Sequence, residues 1–279
     1  MRQIDISEII KSVSELCMEA NFDLNPDIEI ALQVAQQKEE NDRAIGVLQN
    51  LLKNAEIART GRLAMCQDTG MAVVFIELGQ EVHITGGNLE EAIHQGVRLG
   101  YQQGYLRKSV AHPITRINTG DNTPAIIHIR IVPGQQLKLT VAPKGFGSEN
   151  MGSLSMLVPG DGLDGIKKAV IETVKKAGSN PCPPIIVGVG IGGTMEYCTY
   201  LAKKALLREV GKFHKEEDIA TLEKELLISI NKLGIGPQGF GGSTTALHVA
   251  IEYAPTHIAG LPVAVNIGCH ATRHKTRIM

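Results

Sequence analysis

The 279-residue sequence contains no tryptophan, and aromatic residues make up only 4% of it. Few rings are therefore available as stacking platforms for nucleic-acid bases. The formal net charge is −1, so no overall basic field attracts nucleic acid either. Hydrophobic residues make up 43% and charged residues 20% of the chain, which is typical of an ordinary globular protein and argues against a disordered one.

Long apolar runs are also absent from the sequence. No stretch of about 18 apolar residues occurs, so no membrane-spanning helix is expected. The first residues, MRQIDISEIIKSVSELCMEA, carry charge from the start and do not resemble a secretory signal. The five cysteines are an odd number in a long chain, which argues against a disulfide framework and for a reducing compartment. We therefore expect a cytoplasmic protein.

Periodic patterns predict helices at the beginning of the chain. Asp5 and Glu8 form a capping-box-like start, and Pro26 is placed at the first position of a second helix. A third apolar stripe runs from about Asp42 to Ala58. Later helices are predicted over residues 89–103, 162–176, 194–210 and 216–233.

Strand-like runs follow the helical beginning. They cover residues 71–78, 124–132, 136–142 and 184–187, and the segments TALHVAIEYA and LPVAVNIG. The second and third runs flank Pro133-Gly134, which predicts a hairpin between them. Hairpins mixed with crossovers indicate an α+β fold, with a helical N-terminal part packed on mixed or antiparallel sheets, as one domain or two lobes. We treat residues 1–279 as a single domain, with a helical start over about 1–60 and an α/β remainder over 61–279.

Three of the cysteines lie in segments rich in glycine, proline or polar residues: Cys66, Cys182 and Cys269. Backbone N–H groups in such segments can point at a metal-bound sulfur. Cys17 and Cys198 lie in predicted helices and are expected to be plain core residues. No C-x-x-C pair occurs, so neither a ferredoxin-type run nor a zinc ribbon is present. On spacing alone, three unrelated buried cysteines remain the favoured interpretation.

The motifs around these cysteines change that interpretation. In chain order they are CQDTG, LRKS with NTGDNTP, GFGSEN, NPCPPIIVGVGIGGT, GIGPQGFGGST and THIAGLPVAVNIGC. Together they resemble the class I fumarase family, which includes the α subunit of tartrate dehydratase. The resemblance covers the chain from about Cys66 to its end. It implies that Cys66, Cys182 and Cys269 hold a 4Fe–4S cluster with one iron open to substrate.

The resemblance also implies roles for other residues. Arg107 matches a substrate-binding arginine, and Gln67 and Asp68 adjoin the first cysteine. The residue matching Asp68 assists a base that is supplied by the β part of the enzyme. Gly147 and His257 match further substrate contacts. Without the motifs, these positions would be interpreted as a solvated arginine, turn residues and a structural histidine.

The implied activity is the reversible hydration of fumarate to malate by the α subunit of a hydro-lyase. The alternative substrate is tartrate. Single-chain family members carry a further C-terminal region that holds the base, so we expect a β subunit to supply it in a hetero-oligomer. The expected ligand is a small dicarboxylate, with no nucleic acid and no membrane involved.

Two competing interpretations come from local motifs. Gly188, Gly190 and Gly193 spell the G-x-G-x-x-G fingerprint of a nucleotide-binding oxidoreductase. Cys269, His270 and His274 form a possible zinc set, although a mobile basic tail is the favoured interpretation of HATRHKTRIM. A non-catalytic iron–sulfur sensor is a further class of function.

Overall fold

The computed structural model describes residues 2–279 and combines helices with mixed sheets, which confirms the predicted α+β fold. The helices are α1 (Ile6–Phe22), α2 (Pro26–Lys38), α3 (Asp42–Gly61), α4 (Leu89–Gln103), α5 (Phe146–Glu149), α6 (Gly162–Ala177), α7 (Met195–Ala205) and α8 (Glu217–Asn231). The strands are β1 (Arg2–Asp5), β2 (Met71–Gly79), β3 (Val82–Thr85), β4 (Ile126–Val132), β5 (Leu137–Lys144), β6 (Ser153–Leu157), β7 (Ile185–Gly192), β8 (Ala246–Ala254), β9 (Leu261–Gly268) and β10 (Lys275–Ile278). Among residues 2–279, no helix is both long enough and apolar enough to cross a membrane.

The chain divides into two compact units. Unit 1 comprises Met1–Asn25, Asn54–Phe146 and Arg273–Met279, and unit 2 comprises Pro26–Lys53 and Gly147–Thr272. The treatment of residues 1–279 as a single domain stays a prediction.

The helix ends follow the capping signals in the sequence. The Asp5 side chain accepts a hydrogen bond of 2.9 Å from the Ser7 N–H, which satisfies one of the unpaired donors at the start of α1. Pro26 is the first residue of α2, where its missing N–H costs nothing. Asn88 caps α4 by accepting from the Glu91 N–H at 3.0 Å. Local chemistry therefore determines where these helices begin.

The main sheet of unit 1 has the strand order β10-β5-β2-β4. Central strand β2 pairs in parallel with β4 and antiparallel with β5. The predicted hairpin between the second and third strand-like runs is therefore wrong, because β2 lies between them. The core of this unit forms where α1 and α4 pack with β2 and β5.

The turn after β2 explains why β4 and β5 are separated. The N–H groups of residues 79–81 donate to the carbonyls of Gln136, Val132 and Gly134, at 2.8, 2.8 and 3.1 Å. A Cβ atom at Gly79 would lie 2.5 Å from the Gly134 carbonyl oxygen, so only glycine permits this approach. Pro133 and Gly134 therefore lie in a connection that leads from β4 across the end of β2 to β5. Residues 72–76 of β2 are all buried and β4 is largely exposed, which matches a central strand and an edge strand.

The C-terminal residues of unit 1 form an ordered strand. Residues Lys275–Ile278 pair antiparallel with β5, with Lys275 opposite Val141. Two further backbone hydrogen bonds of 2.9 and 2.8 Å join Leu137 and Met279. The predicted mobile basic tail is therefore wrong.

The sheet of unit 2 has the order β6-β9-β7-β8, with α7 packed against β7. A Cβ atom at Gly188 or Gly190 would lie 2.2 or 2.1 Å from a backbone carbonyl oxygen of α7. These two glycines of β7 therefore allow α7 to pack closely against the strand. A dinucleotide fingerprint needs its glycines in the turn between strand and helix. Because Gly188 and Gly190 lie within β7 instead, the glycine pattern loses its main value as evidence for a nucleotide site.

This packing gives a prediction about stability. Gly190→Ala should destabilise the fold by roughly 1–3 kcal/mol, because its methyl group would overlap α7. Gly46→Ala is the matched control: a Cβ there meets no atom within 4 Å, and alanine favours the interior of α3. The control should be stabilised by about 0.5–1 kcal/mol. Denaturant unfolding measures the free energy of unfolding of both variants. Equal values for Gly190→Ala and Gly46→Ala would contradict the packing role of Gly190.

Candidate metal centre

The five cysteines fall into two groups by their accessibility. Cys182 is exposed, and Cys66 and Cys269 are half-buried. Cys17 in α1 and Cys198 in α7 are fully buried. Burial raises the pKa of Cys17 to about 12 and that of Cys198 to about 11, which disfavours the thiolate that binds metal. The prediction that these two are core residues is confirmed.

Two of the accessible cysteines lie at the same end of the unit 2 sheet. Strands β7 and β9 are antiparallel neighbours, and Gly268, the last residue of β9, pairs with Ile186 near the start of β7. Cys269 therefore follows β9 where Cys182 precedes β7. The His270 N–H donates to the Cys182 carbonyl at 3.3 Å, and the His270 Nδ1 lies 3.0 Å from the same oxygen. The two cysteine segments are thus in direct contact.

The Cys182 turn is built from residues that restrict the backbone. Cys182 has a φ of +55°, and its N–H donates to the Ser179 carbonyl at 3.0 Å. Two donors of Gln238, its N–H and its Nε2, bond the Pro183 carbonyl at 2.7 and 2.9 Å. Because prolines flank the cysteine, neither neighbouring residue has an N–H to satisfy. A tightly held turn therefore carries an accessible cysteine.

In unit 1, the third accessible cysteine lies in a loop of residues 65–70, which we call the Cys66 loop. Side chains from other segments of unit 1 bind its carbonyl groups. Tyr101 donates its O–H to the carbonyls of Thr69 and Gly70 at 2.8 and 2.9 Å. Arg273 donates from Nη2 to the Asp68 carbonyl, and Asn54 donates to the carbonyl of residue 65 at 2.7 Å. These bonds fix the backbone on both sides of the cysteine.

The Asp68 carboxylate is also held by the backbone. Its Oδ1 accepts from the Gly70 N–H at 3.0 Å, and its Oδ2 accepts from the Phe146 N–H at 2.8 Å. A Cβ atom at Gly145 would lie 3.1 Å from Oδ2, so a side chain there would crowd the carboxylate. Asp68 therefore links two segments of unit 1. Its catalytic role stays a prediction.

Arg107 is joined to the Cys66 loop through its backbone. Its carbonyl accepts from the Thr69 hydroxyl at 2.8 Å. Fully buried Asn122 connects the same two segments: its Nδ2 donates to the Gly70 carbonyl at 3.2 Å, and its Oδ1 accepts from the Ser109 N–H at 2.7 Å. Unit 1 therefore holds Cys66, Gln67, Asp68 and Arg107 on adjacent segments. Gln67 and Arg107 are exposed, as ligand-binding side chains require.

Gly147 and His257 are in different places in unit 2. Gly147 is exposed, and a Cβ there would have only the Asn180 carbonyl as a neighbour, at 3.8 Å. His257 precedes β9, whereas Cys269 follows it. Eight extended residues span about 25 Å, so the structure does not bring His257 to the cysteine end of this sheet. Exposed His257 instead lines a cavity of about 430 Å³ with Leu163, Ile166 and Leu261 among other residues. The substrate roles of both stay predictions.

Several residues of the site were not identified from the sequence. Asn122 lies within the quoted NTGDNTP motif, but only the fold shows that it ties two segments together. Tyr101 follows the apolar face of α4, so its pattern indicated core packing alone. Arg273 lies in the segment that the sequence predicts to be a mobile basic tail.

No assembled metal-ligand set is present within residues 2–279, where no three His, Cys, Asp or Glu side chains form a group that could hold an ion. This applies to the possible zinc set as well. Cys66, Cys182 and Cys269 nevertheless fit a thiolate-ligated cluster by their chemistry, since they are the accessible thiols and lie on fixed turns. Their ligation of a cluster stays a prediction.

Comparison with known proteins identifies the family. The family model described as fumarate hydratase (fumerase) matches residues 10–278. The chain belongs to the fumarate hydratase family. A relative from Methanocaldococcus jannaschii, named putative L(+)-tartrate dehydratase subunit alpha, is 44% identical over 94% of both chains. The L(+)-tartrate dehydratase subunit alpha of Escherichia coli K12 is 34% identical over 77% of this chain and 72% of its own length.

The accessible thiols give the first functional prediction for this member of the family. Changing Cys66, Cys182 or Cys269 to Ser should abolish the visible absorbance of a cluster after anaerobic reconstitution, because each removes one thiolate ligand. Cys17→Ala and Cys198→Ala are the controls and should retain the absorbance. Iron counting checks the result. Normal iron content in any of the three serine variants would remove that cysteine from the ligand set.

Proposed function

We propose that this chain is the α subunit of an iron–sulfur hydro-lyase that interconverts fumarate and malate. Its cluster would be a 4Fe–4S cluster ligated by Cys66, Cys182 and Cys269. Membership of the fumarate hydratase family supports the reaction class. The observation that carries the ligand set is the contact between the Cys182 and Cys269 segments, both of which are accessible.

Each predicted residue has a defined part in this chemistry. When bound, the cluster supplies an electrophilic iron that no protein side chain ligates. Arg107 would bind one substrate carboxylate through its guanidinium group, and Gln67 would add a polar contact. Gly147 offers backbone without a side chain, which allows a ligand to approach closely. Asp68, oriented by two backbone N–H groups, would assist proton transfer.

A β subunit is part of the proposal. The names of the relatives describe α subunits, which supports an assembly with a second kind of chain. We propose that this partner supplies the base that removes the proton from carbon and completes the dicarboxylate pocket. All five cysteines are thiols, as the proposed cytoplasmic setting requires.

Tartrate is the second candidate substrate, and the names of the relatives favour it. The loop after Gly147 does not decide between the two. Glu149 in that loop is paired with Lys203 and accepts from Asn266 at 3.0 Å, so its carboxylate belongs to the packing of unit 2. The choice between fumarate and tartrate therefore depends on the assembled pocket.

Co-expression with the β subunit tests the division of labour. The reconstituted chain alone should show negligible hydration of fumarate, because a positioned base typically contributes about 10²–10⁴-fold to the rate. The α–β assembly should turn over fumarate with a higher kcat/KM than tartrate. Preference for tartrate would select the second candidate substrate. Efficient hydration of fumarate by the partner-free chain would contradict the proposed role of the partner.

The carboxylate-binding role of Arg107 gives a further prediction. In the α–β assembly, Arg107→Ala should raise KM roughly tenfold to hundredfold with a smaller loss of kcat, since hydrogen bonds to charged groups contribute about 1.5–3 kcal/mol. Lys108→Ala removes an adjacent exposed cation and is the matched control. Equal effects of both variants on KM would mean that only the general positive charge matters.

A further inference from the structure

Arg273 is a buried and poorly compensated charge in unit 1. Only 4% of the residue is exposed, and its Nη2 donates to the Asp68 carbonyl. Its Nε and Nη1 atoms are buried and have no hydrogen-bond partner. A buried guanidinium with unused donors is costly, because water has been removed without a replacement acceptor. Such a group calls for a functional explanation.

Several acceptors of the Cys66 loop other than the Asp68 carbonyl have their own hydrogen-bond partners. The two Asp68 carboxylate oxygens bind the N–H groups of Gly70 and Phe146. The carbonyls of Thr69 and Gly70 bind Tyr101. None of these acceptors forms a hydrogen bond with the Nε or Nη1 atom of Arg273.

The backbone next to Arg273 is fixed. Strand β10 begins two residues later and pairs with β5 along its whole length. The buried guanidinium is therefore held in a defined position. A mobile surface arginine would instead place its charge in water.

We propose that Arg273 is a positioning residue of the metal centre. Through the Asp68 carbonyl it holds the loop that carries Cys66, and the unused N–H donors of its Nε and Nη1 atoms compensate the negative charge that thiolate ligation brings to this loop. The inference rests on the proposed function. Hydrogen bonds and charges around cluster sulfurs are known determinants of cluster properties, so a cation held at this loop suits that purpose.

The proposal predicts opposite effects on the empty and the loaded protein. Without a cluster, Arg273→Met loses the hydrogen bond to the Asp68 carbonyl but also removes a poorly compensated buried charge. Because the second effect offsets the first, the melting temperature should be unchanged or higher. With a cluster, the same variant should lose iron to a chelator about 10–100-fold faster than the wild type, as is typical when an outer partner of a metal ligand is removed. Arg273→Lys retains the charge, so its rate of iron loss should lie between those of the wild type and Arg273→Met.

Arg277→Met is the matched control from the same C-terminal segment. Arg277 pairs with Glu15 and Glu19 on α1 and has no contact with the Cys66 loop among its ion pairs. Its removal should lower the melting temperature of the empty and the loaded protein equally. It should not change the rate at which iron is lost.

The experiment compares the wild type and the three variants in the anaerobic α–β assembly, with and without a reconstituted cluster. Melting temperature, iron and sulfide content, and the decay of cluster absorbance in chelator are measured. A wild type that holds no cluster would refute the proposed function. A wild type that holds one while Arg273→Met loses iron no faster would overturn this inference alone. Equal destabilisation of the empty and loaded Arg273→Met protein would likewise assign Arg273 a purely structural role.

Discussion

The antiparallel pairing of β7 with β9 is the constraint on which the cysteine end of unit 2 depends. Its register sets Gly268 opposite Ile186, so the chain leaves β9 at Cys269 beside the turn that holds Cys182. The contact of His270 with the Cys182 carbonyl then joins the Cys269 and Cys182 segments at this end of the sheet. The close approach of α7 to Gly188 and Gly190 covers the same strand and keeps the pairing in place.

In unit 1, hydrogen bonds from side chains, not strand pairing, hold the segment that carries the cysteine. Its cysteine lies in a loop without regular structure, and buried carbonyls in such a loop need donors. Tyr101, Asn122 and Arg273 supply them from three different parts of the sequence. Because these donors bind the backbone, the side chains of Cys66 and Gln67 stay accessible to ligands.

The sequence was informative where chemistry acts locally. Caps at Asp5 and Pro26 determined helix starts, and the motifs around the cysteines indicated the family that the comparison established. The separation of β4 from β5 could not be predicted, since the insertion of β2 between them depends on the close approach at Gly79. The ordered strand after Arg273 was missed for a similar reason: a short charged segment gains its order from β5, which is distant in sequence.

The central proposal is that a cluster held by Cys66, Cys182 and Cys269 has one accessible iron, which binds the substrate. The most direct measurement is a Mössbauer spectrum of the α–β assembly reconstituted with ⁵⁷Fe, recorded with and without fumarate. The account predicts a 4Fe–4S signal in which one iron site changes with substrate and the other three do not, because only that iron lacks a thiolate. A cluster whose spectrum is unchanged at saturating fumarate and tartrate would contradict it.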